Sequence, residues 1–456
     1  MRVRDGNGSS LSMKQFHRLL PIAFALMLSA CQQAPSRVAA TDHGDAPATA
    51  QAAFAQLGRL RTEADALKTP LAAYTLYRDR YATAEGALRP MLAQVLAATE
   101  SELGAYDAAV RQFPMGVTGL NGTFPPAALP DPNTYRAIDA TDGIVELARS
   151  RRIVLINEAH HAAQTRLLTL ALLPRLRDLG FTHFAAEGID EHDVELGSRG
   201  YPTNASGIYV REPLYGEIIR TALRLGFVVV PYETANTNAD ADTREQEQAA
   251  NLMARVLRAQ PAARLFVHAG YAHVHKHQGY LFGADPMALH LQRMAGTDVL
   301  SIDQTMFRPD LPGREYADYR TLLQQFAILK PSVFMRNSDA ATWSLEPKFY
   351  DVSVILPPAD HLVVGRPDWL TLGGAREAVA IDLDVQPEHL PCVLEARYAS
   401  ESDKAIPADR VLIEQRTGQA VLFLRPGSYR ISASDANARP LFTRSLRVEN
   451  AAAKAR

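Results

Sequence analysis

The chain has 456 residues, of which 47% are hydrophobic, and 48 lysines and arginines nearly balance 50 aspartates and glutamates. This length is enough for two or three folded units, because single domains usually hold about 100 to 200 residues. The formal net charge of -2 gives no field of one sign that would favour nucleic acid or an anionic surface as a partner. A small ligand that is neutral or carries charges of both signs remains a possible partner.

Residues 1–31 predict an export signal. Basic residues, including Lys14 and Arg18, precede the apolar run LLPIAFALMLSA, which is shorter than the roughly 20 residues of a membrane span. The run ends in LSAC, which resembles the bacterial lipobox, and this resemblance implies lipidation of Cys31. An aspartate directly after the cysteine would resemble an inner-membrane retention signal, but this chain has Gln32 at that position. We therefore expect a lipid-anchored protein of the bacterial cell envelope, at the periplasmic face of the outer membrane. Cys392 is then the one remaining cysteine and cannot form an intrachain disulfide.

The flanks of the chain differ from its centre. After a polar linker at 32–47, residues 48–115 are rich in alanine and leucine at helical spacing, which predicts two to four helices. A linker rich in glycine and proline follows at 116–145. At the other end, short alternating runs over 377–450 predict a small β-sandwich, whose expected role is that of an accessory module that contacts an envelope partner.

Residues 146–365 predict an α/β core. Apolar runs such as IVLIN, FVVVPYE and RLFVHA alternate with segments of helical period, and this order predicts a mostly parallel sheet. The runs are continuously apolar, which is typical of strands in a sheet with helices on both faces. The predicted fold class is therefore α/β, with a helical segment before the core and a small β-sandwich domain after it.

Polar residues follow five successive predicted strands. Ligands bind outside the carboxyl ends of the strands in open parallel sheets, so these residues should meet at one edge. A single strand-end acid more often caps a helix, and the argument rests on the coincidence of five ends. The residues are Glu158, His160 and His161 after the first strand, Glu187 after the second, Glu233 after the third, Gly270 and His273 after the fourth, and Asp303 at the fifth.

These residue types suit water activation. A neutral imidazole beside a carboxylate can act as a general base, and imidazoles with carboxylates can equally hold a divalent metal, here by His160, Glu187 and His273. Arg166 lies on the helix after the first strand, where it can reach an acid or an oxyanion, and Arg244 begins a later helix. Thr243 and Gln246 have the spacing of a capping box around Arg244. No G-x-S-x-G motif is present, so no serine nucleophile of that kind is expected.

Three stretches resemble the superfamily of the erythromycin esterases, the ChaN-type haem-binding lipoproteins and the Tiki/TraB proteins. They are INEAHH, FAAEG and TREQEQAANLMARVLRAQPAARLFVHAGYAH, and the resemblance covers about residues 145 to 360. It carries over Glu158, Glu187, Arg244 and His273. The esterase spacing, with two residues between acid and histidine, selects His161, whereas the ChaN and Tiki spacing selects His160.

The resemblance implies two classes of function. The favoured one is a hydrolase of an ester, lactone or amide. In it His273 is the general base or a metal ligand, Glu158 and Glu187 are its partners, and Arg166 or Arg244 clamps an oxyanion or carboxylate. The alternative is haem or metal binding without turnover, and a purely structural envelope protein is a third class. The cofactor thus stays open between none, a divalent metal and haem. The candidate haem ligands are Tyr201, Tyr215, Tyr232, Tyr271 and Tyr280.

Overall fold

The computed structural model of the protein describes residues 46–116, 126–236, 239–279, 283–361 and 365–449. The predicted signal segment with Cys31, and also Tyr280, lie outside the described residues. No helix in these ranges is both long and apolar enough to cross a membrane.

Four helices form the N-terminal helical segment. They are α1 (Ala46–Asp65), α2 (Pro70–Thr83), α3 (Leu88–Glu102) and α4 (Tyr106–Gln112). Their apolar residues, such as Leu57 and Leu92, form one buried cluster with Val393 and Leu412 of the C-terminal region. The amphipathic helices thus bury their apolar faces against one another and against the C-terminal region, and α4 also contacts the α/β core.

The described part of the core holds one eight-stranded sheet, in the spatial order β1-β7-β8-β6-β2-β5-β3-β4. The strands from β8 to β4 in this order are parallel, whereas β7 and β1 are antiparallel to their neighbours. The strands are β1 (Tyr135–Asp139), β2 (Ile153–Glu158), β3 (His183–Ala186), β4 (Val228–Val230), β5 (Leu265–Gly270), β6 (Leu300–Phe307), β7 (Ser332–Arg336) and β8 (Val352–Ile355).

Helices cover both faces of this sheet, as predicted. Every residue of β2 and β5 is buried, and alternate side chains enter two different apolar cores. Val154 and Ile156 pack with α5, α6 and α8, while Leu155 and Val267 pack with α9 and α10. The helices are α5 (Ala140–Ala148), α6 (Leu167–Asp178), α7 (Leu196–Arg199), α8 (Pro213–Arg224), α9 (Ala241–Leu252), α10 (Met287–Ala295) and α11 (Tyr319–Gln325).

Two local features differ from the sequence prediction. Strands β1 and β7 were not predicted, and β1 with the start of α5 lies in the segment taken as a linker. Helix α9 begins before Arg244, and its N-cap is Asp240, whose carboxylate accepts a 2.8 Å hydrogen bond from the backbone N–H of Thr243. The predicted capping box at Thr243 is therefore wrong, because the acid three residues earlier fills that role.

The C-terminal region consists of two antiparallel sheets, one with the order β11-β10-β13-β14 and one that pairs β12 with β9. Alternate residues of β10, including Leu394, face a core shared by the two sheets, while Val393 faces the N-terminal helices. The strands are β9 (Glu377–Asp382), β10 (Cys392–Tyr398), β11 (Asp409–Ile413), β12 (Gln419–Leu424), β13 (Gly427–Asp435) and β14 (Pro440–Val448).

Candidate active site

Acids and histidines from β2, β3 and β5 converge at the carboxyl edge of the sheet. These strands are neighbours, with Glu158 of β2 in register with Gly270 of β5. The Nε2 atom of His160 lies 3.8 Å from Oε2 of Glu187, and Nε2 of His273 lies 3.6 Å from Oε1 of the same carboxylate. Glu187 therefore stands between two imidazoles. We call Glu158, His160, Glu187, Arg244 and His273 the strand-end cluster.

The first half of the cluster is a series of polar contacts that runs from Arg166 through Glu158 to His160. Nε of Arg166 donates to Oε2 of Glu158 at 2.6 Å, and Nδ1 of His160 lies 2.6 Å from Oε1 of that carboxylate. Burial alone would raise the pKa of Glu158, but Arg166 and His160 outweigh it and hold the pKa well below its usual range. An ionised Glu158 can only accept, so the proton of a neutral His160 is on Nδ1. Nε2 then presents its lone pair toward Glu187.

Gly270 allows the backbone of β5 to lie directly against these atoms. Its φ of -74° is ordinary for any residue, so glycine is not required by the backbone here. A Cβ at this position would overlap Nε2 of His160 and lie 2.9 Å from Oε2 of Glu187. The backbone N–H of Gly270 also donates to Oε2 of Glu187 at 2.5 Å. The glycine thus orients the carboxylate and leaves room for the imidazole of His160, whose Nε2 atom has no hydrogen-bond partner among the described residues.

The second half of the cluster surrounds His273 with carboxylates. Nδ1 of His273 lies 2.8 Å from Glu245, a buried acid that also accepts the backbone N–H of Met287. Burial lowers the pKa of His273 and Arg244 opposes its charge, but Glu245 and Glu187 outweigh both, and the pKa is raised above its usual value of 6.5. The environment therefore favours the imidazolium.

Arg244 joins the carboxylates of this half. Its Nη2 atom lies 3.2 Å from Glu233 and 3.6 Å from Glu187, and Nη1 lies 3.5 Å from Glu245. Nη1 is also 3.3 Å from Nε2 of His273, and this contact favours the neutral imidazole. The nearby carboxylates have the larger effect and raise the pKa of His273. Arg244 and His273 thus bring positive charge to the side of Glu187 opposite His160.

His161 is directed elsewhere. Its ring stacks on Phe113 from the helical segment, with ring centres 3.7 Å apart, and its Nδ1 atom lies 2.8 Å from the hydroxyl of Tyr271. Burial lowers the pKa of His161 well below its usual range. His160 instead stacks on Tyr209 and enters the cluster. The pair of histidines is therefore divided, and the acid-to-histidine spacing with one intervening residue is the one that this structure uses.

The cluster is reached from the side of His273 and Glu233. His160, Glu187 and Arg244 are buried, whereas the side chains of His273 and Glu233 are 12% and 27% exposed. A separate cavity of about 260 Å³ lies between α4, the turn after β2 and Arg308, and its lining contains no residue of the strand-end cluster. Substrate would thus meet His273 and Glu233 before His160.

The predicted metal site is not formed as expected. No three histidine, cysteine, aspartate or glutamate side chains in the described ranges are arranged to hold a metal ion. The guanidinium of Arg244 stands 3.3 Å from Nε2 of His273 and 3.6 Å from Glu187, where an ion bound by His160, Glu187 and His273 would meet a fixed positive charge. Haem ligation is also restricted, since Tyr215 and Tyr232 are buried, and the hydroxyl of Tyr215 donates to the backbone carbonyl of Glu187.

The fifth strand end takes no part in the cluster. Oδ1 of Asp303 accepts hydrogen bonds from the side chains of Asn157 and Thr305 at 2.9 and 2.8 Å, and burial raises its pKa. Asn157 also donates to the backbone carbonyl of Tyr271 at 3.2 Å. The side chain of Asn157 therefore ties β2 to β6 and to the turn after β5.

Three residues that lie in or next to the cluster were not predicted from the sequence, namely Glu212, Glu245 and His268. Glu245 is adjacent to the predicted Arg244 near the start of α9, and Glu212 precedes the proline that begins α8. For these two acids, a position at the start of a helix was the signal available in the sequence. His268 was taken as part of an apolar strand. It is fully buried, with Nε2 3.7 Å from Glu158 and Nδ1 2.9 Å from the hydroxyl of Thr169.

No protein-family model matches the chain, and no curated protein matches its sequence. Solved structures with partial likeness include one described as cofacial heme binding to ChaN of Campylobacter jejuni, with 9% identity and a TM-score of 0.32 over 51% of this chain and 100% of that chain. A structure described as bacterial protein toxins gives 15% identity and a TM-score of 0.27, over 57% of this chain and 46% of that chain. RRSP, a MARTX toxin effector domain from Vibrio vulnificus, gives 13% identity and a TM-score of 0.27, over 54% of this chain and 56% of that chain. Likenesses at this level carry no argument about function, which rests on the site itself.

Proposed function

We propose that this protein is a hydrolase of an ester, lactone or amide and that it activates water at the strand-end cluster. The observation that carries the proposal is the buried Nε2 atom of His160, which has no hydrogen-bond partner among the described residues and lies 3.8 Å from Oε2 of Glu187. A general base must come within about 3 Å of the proton that it removes. A water molecule that bridges these two atoms would meet that condition.

His160 is the proposed base. Its Nδ1 proton is directed to the ionised Glu158, which fixes the tautomer and leaves the lone pair on Nε2. Nε2 takes a proton from water as the water oxygen bonds to the carbonyl carbon of the substrate. Glu187 accepts a hydrogen bond from the same water and keeps it oriented. This assignment gives His160 the role that the sequence had suggested for His273.

His273 is the proposed acid, because its carboxylate neighbours favour the imidazolium and a resting base must be neutral. The negative charge that develops on the carbonyl oxygen is stabilised by Arg244 and His273. The bond from the carbonyl carbon to the leaving oxygen or nitrogen then breaks, and His273 protonates the leaving atom. The products are a carboxylic acid and an alcohol or amine. Glu187 lies between the imidazoles, where it can return the proton gained by His160 to His273.

Nucleophilic catalysis by cysteine is not part of this proposal. Cys392, the free cysteine of the described residues, lies in β10 of the C-terminal region, where burial raises the pKa of its thiol to about 11. A thiol of this kind is almost entirely protonated at neutral pH and is a poor nucleophile.

The test is hydrolysis by the purified full chain of a panel of activated esters, lactones and amides in ¹⁸O-labelled water. The proposal predicts one labelled oxygen in the carboxylate product and a rate that depends on His160. His192→Gln is the matched control, since His192 pairs with Asp190 at 2.9 Å on the surface. Hydrolysis that survives His160→Gln unchanged would exclude this site.

Hemin titration of the same sample tests the alternative, haem binding without turnover. Tyr271 is the tyrosine to substitute, because it is half-buried, contacts His161 and lies in the turn next to His273. A Soret band that disappears in Tyr271→Phe, together with no hydrolysis of any substrate in the panel, would replace the hydrolase proposal.

We also propose that Cys31 carries the lipid that anchors the protein in the cell envelope. The support is the LSAC sequence after a short apolar run with basic residues before it. The intact mass of membrane-extracted protein should include an acyl modification. Cys31→Ala should lose the modification and the membrane association, whereas Cys392→Ala should keep both. An unmodified wild-type mass would contradict the anchor.

A further inference from the structure

Helix α4 of the N-terminal segment makes a buried hydrogen bond next to the strand-end cluster. The hydroxyl of Tyr106 donates to Oε1 of Glu212 at 2.8 Å, and both side chains are almost completely buried. The ring of Tyr106 packs on Trp369. Burial, followed by the charge of Glu212, raises the pKa of Tyr106 well above its usual value, so the hydroxyl remains a donor at any working pH.

Glu212 uses its other oxygen within the core. Oε2 lies 3.0 Å from Nη1 of Arg166 and accepts the backbone N–H of Tyr215 at 2.8 Å, as the N-cap of α8. Arg166 in turn holds Glu158, which holds His160. An unbroken series of short polar contacts therefore joins the helical segment to the imidazole of the proposed base.

Arg166 is shared between two carboxylates in this series. It is 2% exposed, so Glu158 and Glu212 compete for one guanidinium in an environment where water screens little of the interaction. A change that makes Glu212 a stronger partner withdraws Arg166 from Glu158. A change that makes Glu212 a weaker partner has the opposite effect on Glu158 and on its hydrogen bond to His160.

The same helical segment contacts the adjacent histidine. Phe113, which follows α4 directly, stacks on His161 with an interplanar angle of 5°. Both ends of α4 are thus in contact with side chains next to the cluster, although the apolar residues of the segment pack largely on one another and on the C-terminal region.

We propose that Tyr106 and Glu212 are positioning residues, through which the helical segment sets the strength of the Glu158–His160 hydrogen bond. The catalytic consequence rests on the proposed hydrolase function, but the coupling itself does not. The helical segment is then a part of the site and not a separate spacer between the membrane anchor and the core.

The test measures the His160 hydrogen bond directly, as the downfield ¹H resonance of its Nδ1 proton, assigned by its absence from His160→Gln. Tyr106→Phe leaves the ring in place and removes one donor from Glu212, so Arg166 shifts toward Glu212, Glu158 becomes a stronger acceptor and the resonance should move downfield. Glu212→Gln removes the competing charge and should move it upfield. Where a substrate has been found, Tyr106→Phe and Glu212→Gln should change kcat in opposite directions, with little change in KM.

Tyr74→Phe is the matched control, because the hydroxyl of Tyr74 in α2 also donates to a glutamate at 2.8 Å, but this glutamate, Glu414, lies in the C-terminal region. Its His160 resonance and kcat should equal those of the wild type. Shifts of the same sign in Tyr106→Phe and Glu212→Gln, or none in either, would overturn the coupling even if the protein is a hydrolase. Opposite shifts in a protein that hydrolyses nothing would keep the coupling and reject the proposed function.

Discussion

Two histidine–glutamate pairs flank Glu187, and their different surroundings account for different chemistry. In both pairs Nδ1 of the histidine contacts a buried carboxylate, at 2.6 Å in His160–Glu158 and 2.8 Å in His273–Glu245. Arg166 donates a 2.6 Å hydrogen bond to Glu158, whereas Arg244 lies 3.5 Å from Glu245. Glu187 lies within 4 Å of Nε2 of both imidazoles, and together with Glu245 it raises the pKa of His273. One pairing motif can thus yield a base on one side and an acid on the other, according to the neighbouring charges.

The largest effect is expected at Gly270, which lies against His160 and Glu187 between the two histidine–glutamate pairs. Gly270→Ala should lower kcat by about 10³-fold, because its Cβ would lie 2.3 Å from Nε2 of His160 and displace the imidazole of the proposed base. The melting temperature should also fall, by the equivalent of about 1–3 kcal/mol, because the added carbon overpacks a buried site. Steady-state kinetics and thermal unfolding check both parts.

The control for this variant is Gly58→Ala, a glycine-to-alanine change in α1 with no atom within 4 Å of the added Cβ. It should keep full activity. If Gly270→Ala were as active as Gly58→Ala, water activation at this place would be rejected.

The two carboxylates should differ in their contribution to stability. Glu158→Gln leaves Arg166 buried with Glu212 as its one remaining carboxylate and should lower the free energy of unfolding by about 3–5 kcal/mol. Glu245→Gln should cost less, because Arg244 keeps Glu187 and Glu233. Denaturant unfolding curves measure both. Equal losses would mean that the two pairs are not anchored differently.

A smaller effect is expected on the pH dependence. In Glu245→Gln the pKa of His273 should fall, because the largest of the charges that raise it is removed. Since the proposed acid must be protonated, activity is lost as pH rises through this pKa, and the alkaline limb of kcat/KM should move to lower pH. An unmoved limb would assign it to another group.

The stability of the fold should depend on pH in the same direction as the activity, because both need the protonated His273. A raised histidine pKa stabilises the fold fully below the unfolded-state value near 6.5, and this contribution disappears as pH rises through the folded-state pKa. The wild type should therefore lose more stability than Glu245→Gln over the range above pH 6.5, as measured by melting temperature.

The sheet edge could be predicted from the sequence because each buried strand ends where apolar residues give way to acids or histidines. Glu158, Glu187 and His273 come together for that reason. Strand β1 escaped because its sequence, YRAID, has no continuous apolar run, and none of its residues is fully buried. β7 is a short strand whose main partner, β1, lies far earlier in the chain.

Other features depend on contacts that no local pattern records. The choice between the two histidines follows from their partners. His160 contacts Glu158 and Tyr209, whereas His161 contacts Phe113 and Tyr271. Glu212 enters the site through Arg166, 46 positions earlier in the chain, and the helical segment packs on β10 and β11, about 300 residues away. Such pairings are set by the tertiary fold and not by spacing in the sequence.

The adjacent histidines supply the most direct test of the central claim, that water is activated by the imidazole facing Glu187. On any substrate that the protein hydrolyses, His160→Gln should lower kcat/KM by about 10²–10⁴-fold, as the loss of a general base does. His161→Gln should have a much smaller effect, because His161 faces Phe113 and Tyr271. A large loss in His161→Gln with near wild-type activity in His160→Gln would contradict the account.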